Sequence, residues 1–173
     1  MNLKDTIRDV KDFPKKGIIF KDITTLLKDP KAISIAVEEL YKLVKDKKIT
    51  KVVGIESRGF ILGAALALKL GVGFIPIRKP GKLPAERIAE SYSLEYGTDS
   101  IEIHKDAIEQ GDVVLLHDDL LATGGTMKAA CNLVERLSGK VGQISFLIEL
   151  SFLKGRENLN GYDVHSLIQY DSE

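Results

Sequence analysis

The sequence predicts an α/β fold: an open, mainly parallel sheet flanked by helices. Two observations carry that reading. Compact apolar runs at 51–55, 72–77, 113–117 and 141–150 alternate with segments of helical periodicity at 30–44, 60–70 and 126–137. The stretch from 51 to 77 also reads strand, turn, helix, strand, and two strands joined through a helix lie parallel.

Each element has a local reason. Residues 1–29 are short and mixed, with Phe13-Pro14 and a Gly17-Ile18-Ile19-Phe20 patch. A helix starts at Pro30, where Asp29 can cap and proline suits the first helical position. Its Ile33, Ala36, Val37, Leu40 and Val44 recur at helical spacing. The strand at 51–55 ends in the turn Glu56-Ser57-Arg58-Gly59, and the Ala-rich helix at 60–70 is stopped by Gly71. After the strand at 72–77 the pattern breaks over 78–112. Arg78-Lys79-Pro80-Gly81-Lys82-Leu83-Pro84 is basic and turn-rich, and only two short β-like pieces follow, near 91–96 and 100–104. Long irregular segments inside compact domains are usually functional or disordered, so 78–100 reads as a flexible loop region. The strand at 113–117 then enters a glycine turn and a helix at 126–137, whose Met127, Ala130, Cys131, Val134 and Leu137 form an inward stripe. A strand at 141–150 and a final short one at 164–169 complete the chain.

Composition bounds the function. The 173 residues read as one domain, 1–173, with enough length for a real core. Lys+Arg and Asp+Glu are both 25, so no global basic field points to nucleic acid. The longest apolar run, 60–68, is too short to span a bilayer, and the charged start of the chain lacks the apolar core of a signal peptide. A single cysteine, Cys131, leaves no internal disulfide and fits a reducing cytoplasm.

The chemistry concentrates at Val113-Val114-Leu115-Leu116-His117-Asp118-Asp119-Leu120-Leu121-Ala122-Thr123-Gly124-Gly125-Thr126. Glycines allow close backbone approach to an anion, and N–H groups at the start of the next helix point at its charge. Thr123 and Thr126 add hydroxyl donors. Asp118 and Asp119 are wrong for a phosphate but suit a sugar diol. Acid pair and anion cradle together suggest sugar at one end and phosphate at the other.

This segment resembles the phosphoribosyl-pyrophosphate motif of type I phosphoribosyltransferases. On that resemblance Ala122, Thr123, Gly124, Gly125 and Thr126 receive the 5-phosphate and Asp118 and Asp119 the ribose. Ser57, Arg58, Arg78, Lys79 and Lys82 are the candidates for the pyrophosphate, together with Mg²⁺ carried mainly by substrate oxygens. Catalysis then rests on cations stabilising charge on the leaving group, with Arg58, Lys79 and Lys82 as candidates.

The likeness extends along the chain. Phe13-Pro14, Gly17-Ile18-Ile19-Phe20-Lys21-Asp22-Ile23, Leu27-Lys28-Asp29-Pro30, Glu56-Ser57-Arg58-Gly59-Phe60, the basic loop from Arg78 to Pro84, Ser91-Tyr92-Ser93-Leu94-Glu95-Tyr96-Gly97 and Leu153-Lys154-Gly155-Arg156-Glu157 resemble the adenine phosphoribosyltransferase family, in order. The resemblance implies a type I phosphoribosyltransferase fold with a small N-terminal hood over 1–29. It implies conversion of adenine and phosphoribosyl pyrophosphate into AMP and pyrophosphate, and a homodimer. It places Ile18, Ile19 and Phe20 in the hood over the base, Arg58 and Leu120 beside the base, Glu95 in proton handling near the purine, and Tyr96 on the closing loop. A positioned carboxylate suits the loss of the adenine imidazole proton.

Two rival readings fit the same residues. A phosphoribosyltransferase for xanthine or for hypoxanthine and guanine shares the acid pair and glycine turn, although Ser93-Leu94-Glu95-Tyr96-Gly97 and the N-terminal patch favour adenine. A non-catalytic regulator that senses phosphoribosyl pyrophosphate would need an output module, and the residues before Pro30 are few for one. His117 departs from the family, whose residue there is usually aliphatic, and is expected to be packed and hydrogen-bonded. His104, His165 and Cys131 show no metal-ligand grouping.

Overall fold

The computed structural model describes residues 1–94 and 96–173. A short 3₁₀ helix, Leu3–Thr6, precedes an antiparallel hairpin of β1, Arg8–Lys11, and β2, Ile19–Asp22. A single helical turn, α1 (Thr24–Leu27), leads to α2, Pro30–Val44. Asp29 caps α2 by accepting from the Lys31 and Ala32 N–H groups at 2.8 and 3.2 Å, with Pro30 in the first turn. There follow β3 (Lys51–Ile55), α3 (Gly59–Leu70) and β4 (Gly73–Ile77), with Gly71 ending α3 at a φ of 70°. Next come β5 (Arg87–Ser93), β6 (Thr98–His104), β7 (Val113–Leu121), α4 (Gly125–Arg136), β8 (Lys140–Leu150) and β9 (Val164–Tyr170).

Five strands form the central sheet in the order β4-β3-β7-β8-β9, and every neighbouring pair is parallel. Alternating side chains sort into two cores, one per face. Val53, Leu116, Ile144 and Phe146 bury against Met127, Cys131 and Val134 of α4. Val52, Leu115 and Leu147 bury against Leu40 of α2 and Leu62 and Leu66 of α3. Covering both faces is what an all-parallel sheet requires.

The structure moves several boundaries. β7 continues past His117 to Leu121, because β8 runs on beside it: Asp118 pairs with Phe146, Leu120 with Ile148 and Leu121 with Glu149. The acid pair therefore sits on the strand rather than beyond its end. The β-like piece expected near 91–96 begins at Arg87 and pairs with β6 as a hairpin, β5 and β6 forming their own two-stranded sheet. Its Ile101 and Ile103 are buried in the α4-side core. Glu90 is gripped by α4, accepting from Asn132 Nδ2 at 3.1 Å and Arg136 Nη1 at 2.9 Å. Glu95, between the two strands, lies outside the described residues. Two 3₁₀ helices, Ser151–Leu153 and Gly155–Leu159, join β8 to β9 and were not legible in the sequence.

His117 is fully buried, with Nδ1 bonded to Ser145 Oγ at 2.9 Å, as expected of a packed histidine. Burial lowers its pKa to about 4, so it stays neutral at physiological pH. Burial pushes the Cys131 thiol up to about 12, which makes it an inert apolar side chain. Among the described residues no helix is long and apolar enough to cross a membrane.

Candidate active site

A cleft of about 470 Å³ opens beyond the C-terminal ends of β3 and β7, where open α/β sheets bind ligands. Its wall includes Glu56, Ser57 and Arg58 after β3, Lys79 after β4, Asp118 to Leu121 of β7 and Ala122 to Thr126 leading into α4. Segments far apart in sequence thus meet because their strands are neighbours in the sheet.

The acid pair is held tightly. Asp118 Oδ1 accepts the Asp119 N–H at 2.8 Å, and Arg58 Nε donates to Asp119 Oδ2. Burial, and then the neighbouring Asp119 charge, raise the Asp118 carboxyl well above the usual carboxylate range. Arg58 can lie this close because Gly59 has no side chain. A Cβ at Gly59 would sit 2.8 Å from Asp118 Oδ1 and 3.1 Å from the His117 carbonyl oxygen. The Arg58 guanidinium also lies 5.4 Å from the centre of the Phe20 ring, so β2 of the N-terminal hairpin reaches the cleft edge. Phe13 meets Phe20 edge-on at 5.2 Å.

The glycine turn is built for close approach. α4 begins at Gly125 without a side-chain cap, and Gly124 before it has a φ of 84°. The first N–H groups of α4 therefore face the cleft with no internal acceptor. Thr123 is exposed at the rim, while Thr126 lies in the first turn of the helix.

Lys79 is tied across the cleft. Its ammonium donates to Asp99 and, at 3.0 Å, to the Tyr92 hydroxyl, and that hydroxyl donates to Asp99 at 3.1 Å. Burial alone would lower the Lys79 pKa, but the Asp99 bond, followed by Tyr92, raises it. Glu56 fixes the other end of the basic loop by accepting the Lys79 N–H at 2.8 Å and Arg78 Nε at 3.1 Å. Burial opposes the charge of Glu56, yet these two bonds leave its pKa below the ordinary carboxylate value.

Of the residues singled out by sequence, Ser57, Arg58, Lys79, Asp118, Asp119, Leu120 and Ala122 to Thr126 line the cleft. Ile18, Ile19, Phe20, Arg78, Lys82 and Tyr96 do not belong to its wall. Arg78 turns to Glu56, Lys82 is exposed, Tyr96 is 83% exposed and Ile18 and Ile19 are half-buried. Sequence reasoning missed Glu56, Tyr92 and Asp99 as contact-makers. The acid and phenol were visible, but nothing local said they would face the basic loop.

A family model for the phosphoribosyl transferase domain matches residues 22–166. An adenine phosphoribosyltransferase of Halothermothrix orenii is 64% identical, over 98% of this chain and 99% of its own length. The chain belongs to the adenine phosphoribosyltransferase family. The crystal structure of the family member from Thermoanaerobacter pseudethanolicus superposes with a TM-score of 0.95 at 56% identity, covering 97% of this chain and 98% of that one. The family member from Saccharomyces cerevisiae, solved in complex with an imino-altritol bisphosphate and adenine, gives a TM-score of 0.89 at 42% identity, with 95% of each chain covered. The type I phosphoribosyltransferase fold expected from the sequence is thus the fold observed, with the N-terminal hairpin in place.

Proposed function

We propose that this member of the family converts adenine and phosphoribosyl pyrophosphate into AMP and pyrophosphate. The observation that carries the reading is one cleft holding an acid pair, a glycine-rich helix start and two cations side by side. The 5-phosphate is received by the N–H groups and hydroxyls of Ala122 to Thr126, and the ribose diol donates to Asp118 and Asp119. Ser57, Arg58 and Lys79 face the pyrophosphate, and stabilising charge on that leaving group lowers the barrier. Arg78 and Lys82 support this loop from outside the cleft wall. The base lies near Arg58 and Leu120 under the hood segment of Ile18, Ile19 and Phe20. Glu95 accepts or holds the imidazole proton, with Tyr96 beside it on the loop.

Mg²⁺ belongs to this reading. Among the described residues no group of three or more His, Cys, Asp or Glu side chains is placed to hold a metal ion. Substrate phosphate oxygens would therefore make up most of the ion's shell, and the carboxylate oxygens of Asp118 and Asp119 in the same cleft are of the donor type Mg²⁺ accepts. When bound, the ion supplies positive charge to the departing pyrophosphate. The homodimer that the family resemblance implies fits the outer face of α3, where Ile61 and Leu68 are 43% and 84% exposed in a helix whose one charged residue is Lys69. The lone thiol fits a cytoplasmic setting.

The deciding test is turnover of phosphoribosyl pyrophosphate with a panel of purines, with and without Mg²⁺. Adenine is expected to be used far faster than hypoxanthine, guanine or xanthine; faster use of any of these removes the adenine reading. Ligand binding without pyrophosphate release would instead make the protein a sensor. Lys79→Ala is expected to lower kcat/KM for phosphoribosyl pyrophosphate by about 10- to 100-fold, the range for losing one charge-assisted contact. Adenine affinity, read by calorimetry, should persist; unchanged turnover would take Lys79 out of the reaction.

A further inference from the structure

Residues 122–126 have a support that lies outside the cleft. The start of α4 has no capping side chain of its own, and position 124 cannot carry one: a Cβ there would meet the Gly155 carbonyl oxygen at 2.5 Å. Gly155 is closed in the same way, its Cβ position lying 2.3 Å from the Ala122 carbonyl oxygen. The turn and the 3₁₀ helix Gly155–Leu159 therefore meet backbone to backbone. One side chain bridges them: Asn158 Nδ2 donates to the Thr123 carbonyl at 2.7 Å.

That 3₁₀ helix is itself anchored. Arg156 donates through Nε and Nη2 to the two oxygens of Glu149, both at 2.7 Å, and through Nη1 to the Val164 carbonyl at 2.8 Å. Glu149 is 4% exposed and also accepts from Ser166 Oγ. A forked guanidinium pair of this kind fixes orientation as well as distance. The platform beneath the turn is thus set by the ends of β8 and β9.

We propose that Asn158 is a positioning residue for the phosphate end of the substrate, acting through the Thr123–Gly124 peptide. This rests on the reading of 122–126 as the phosphate cradle. A peptide unit is planar and its C=O and N–H point in opposite directions. Holding the Thr123 carbonyl on Asn158 therefore aims the Gly124 N–H the other way, toward the cleft that Gly124 lines. A donor aimed before the ligand arrives binds it without reorganisation. Asn158 is exposed and belongs to neither core, so its removal leaves the sheet and its packing intact.

The test is calorimetric binding of ribose 5-phosphate and, separately, of pyrophosphate with Mg²⁺, to wild type, Asn158→Ala and Asn158→Asp. Asn158→Ala is expected to weaken ribose 5-phosphate by about three- to tenfold, the range of one neutral hydrogen bond. Pyrophosphate affinity and Tm should stay at wild-type values. Asn158→Asp, which loses the donor and adds a negative charge near the phosphate, should be weaker still. Equal weakening of both ligands, or a matching fall in Tm, would reduce Asn158 to general support and overturn the proposal. So would wild-type ribose 5-phosphate affinity in both variants. If wild type itself fails to bind ribose 5-phosphate, it is the cradle reading that falls, a result distinct from the others.

Discussion

Replacing Asp118 by Asn is expected to raise the Tm of the ligand-free protein while lowering kcat/KM for phosphoribosyl pyrophosphate by about 10- to 100-fold, the loss of a charged hydrogen bond to substrate. The two effects have one origin. Asp118 is half-buried beside the buried Asp119, with Arg58 bonded to Asp119 rather than to it. Its pKa is raised, so the folded state keeps a proton that the unfolded chain releases above its own value of about 3.9. A group of this sign contributes its stability below that unfolded value and loses it as pH rises toward the folded value. At neutral pH the wild-type cleft is therefore destabilised by its own acid. Asn keeps the shape and can accept the Asp119 N–H, but it carries no charge to desolvate. A gain of about 1 kcal/mol corresponds to roughly 2–4 °C in Tm for a chain of this size. Thermal melts across pH check the argument directly. The difference between Asn and Asp should vanish below about pH 4 and grow above it. A flat difference, or a less stable Asn variant at neutral pH, would mean that the acid pair is not under strain.

The cleft around that acid pair was half legible in the sequence. The adjacent acids after an apolar run, and the glycine turn beyond them, marked the site without any structure. Their placement on a strand did not show, because β7 is extended by pairing with β8, more than two dozen residues downstream. Asp29 and Pro30 gave the start of α2 because a cap acts within three residues. The β5/β6 hairpin was displaced for the opposite reason. Over Arg87–Ser93 charged and small residues mask the alternation, and what fixes the strand is Ile101 and Ile103 of its partner entering the core. Lys79 read as a candidate cation for the pyrophosphate, with no sign of its Asp99 and Tyr92 partners, which come from that same hairpin. Gly155, Arg156 and Asn158 stood in a stretch matching the family, but no local chemistry revealed that they underlie a turn three decades of residues earlier. Local signals were read from sequence; contacts that depend on which strands become neighbours were not.

The two glycines of the turn make different demands, and substituting each to Ala should separate them. At Gly124 a side chain faces two obstacles at once. The φ of 84° is costly for any residue with a Cβ, about 1–2 kcal/mol. The added carbon would also sit 2.5 Å from the Gly155 carbonyl oxygen, which is backbone and is held by the Arg156–Glu149 anchor. Neither wall can yield without moving β7 or the platform beneath it. Gly124→Ala is expected to lose more than about 2 kcal/mol of stability, summing strain with displaced packing. It should also abolish measurable ribose 5-phosphate binding, since the Gly124 N–H and the start of α4 shift together. Gly125 is open by contrast: its Cβ would meet only Tyr92 and the Ser93 carbonyl oxygen, at 3.7 and 3.8 Å, and its φ is ordinary. Gly125→Ala should therefore keep a Tm close to wild type, while its methyl, set on the cleft wall, lowers phosphate affinity. Denaturant melts paired with ribose 5-phosphate calorimetry distinguish the outcomes. A stable Gly124→Ala that still binds would show that the turn and the platform are not rigidly joined. An unaffected affinity in Gly125→Ala would move the phosphate away from the start of α4.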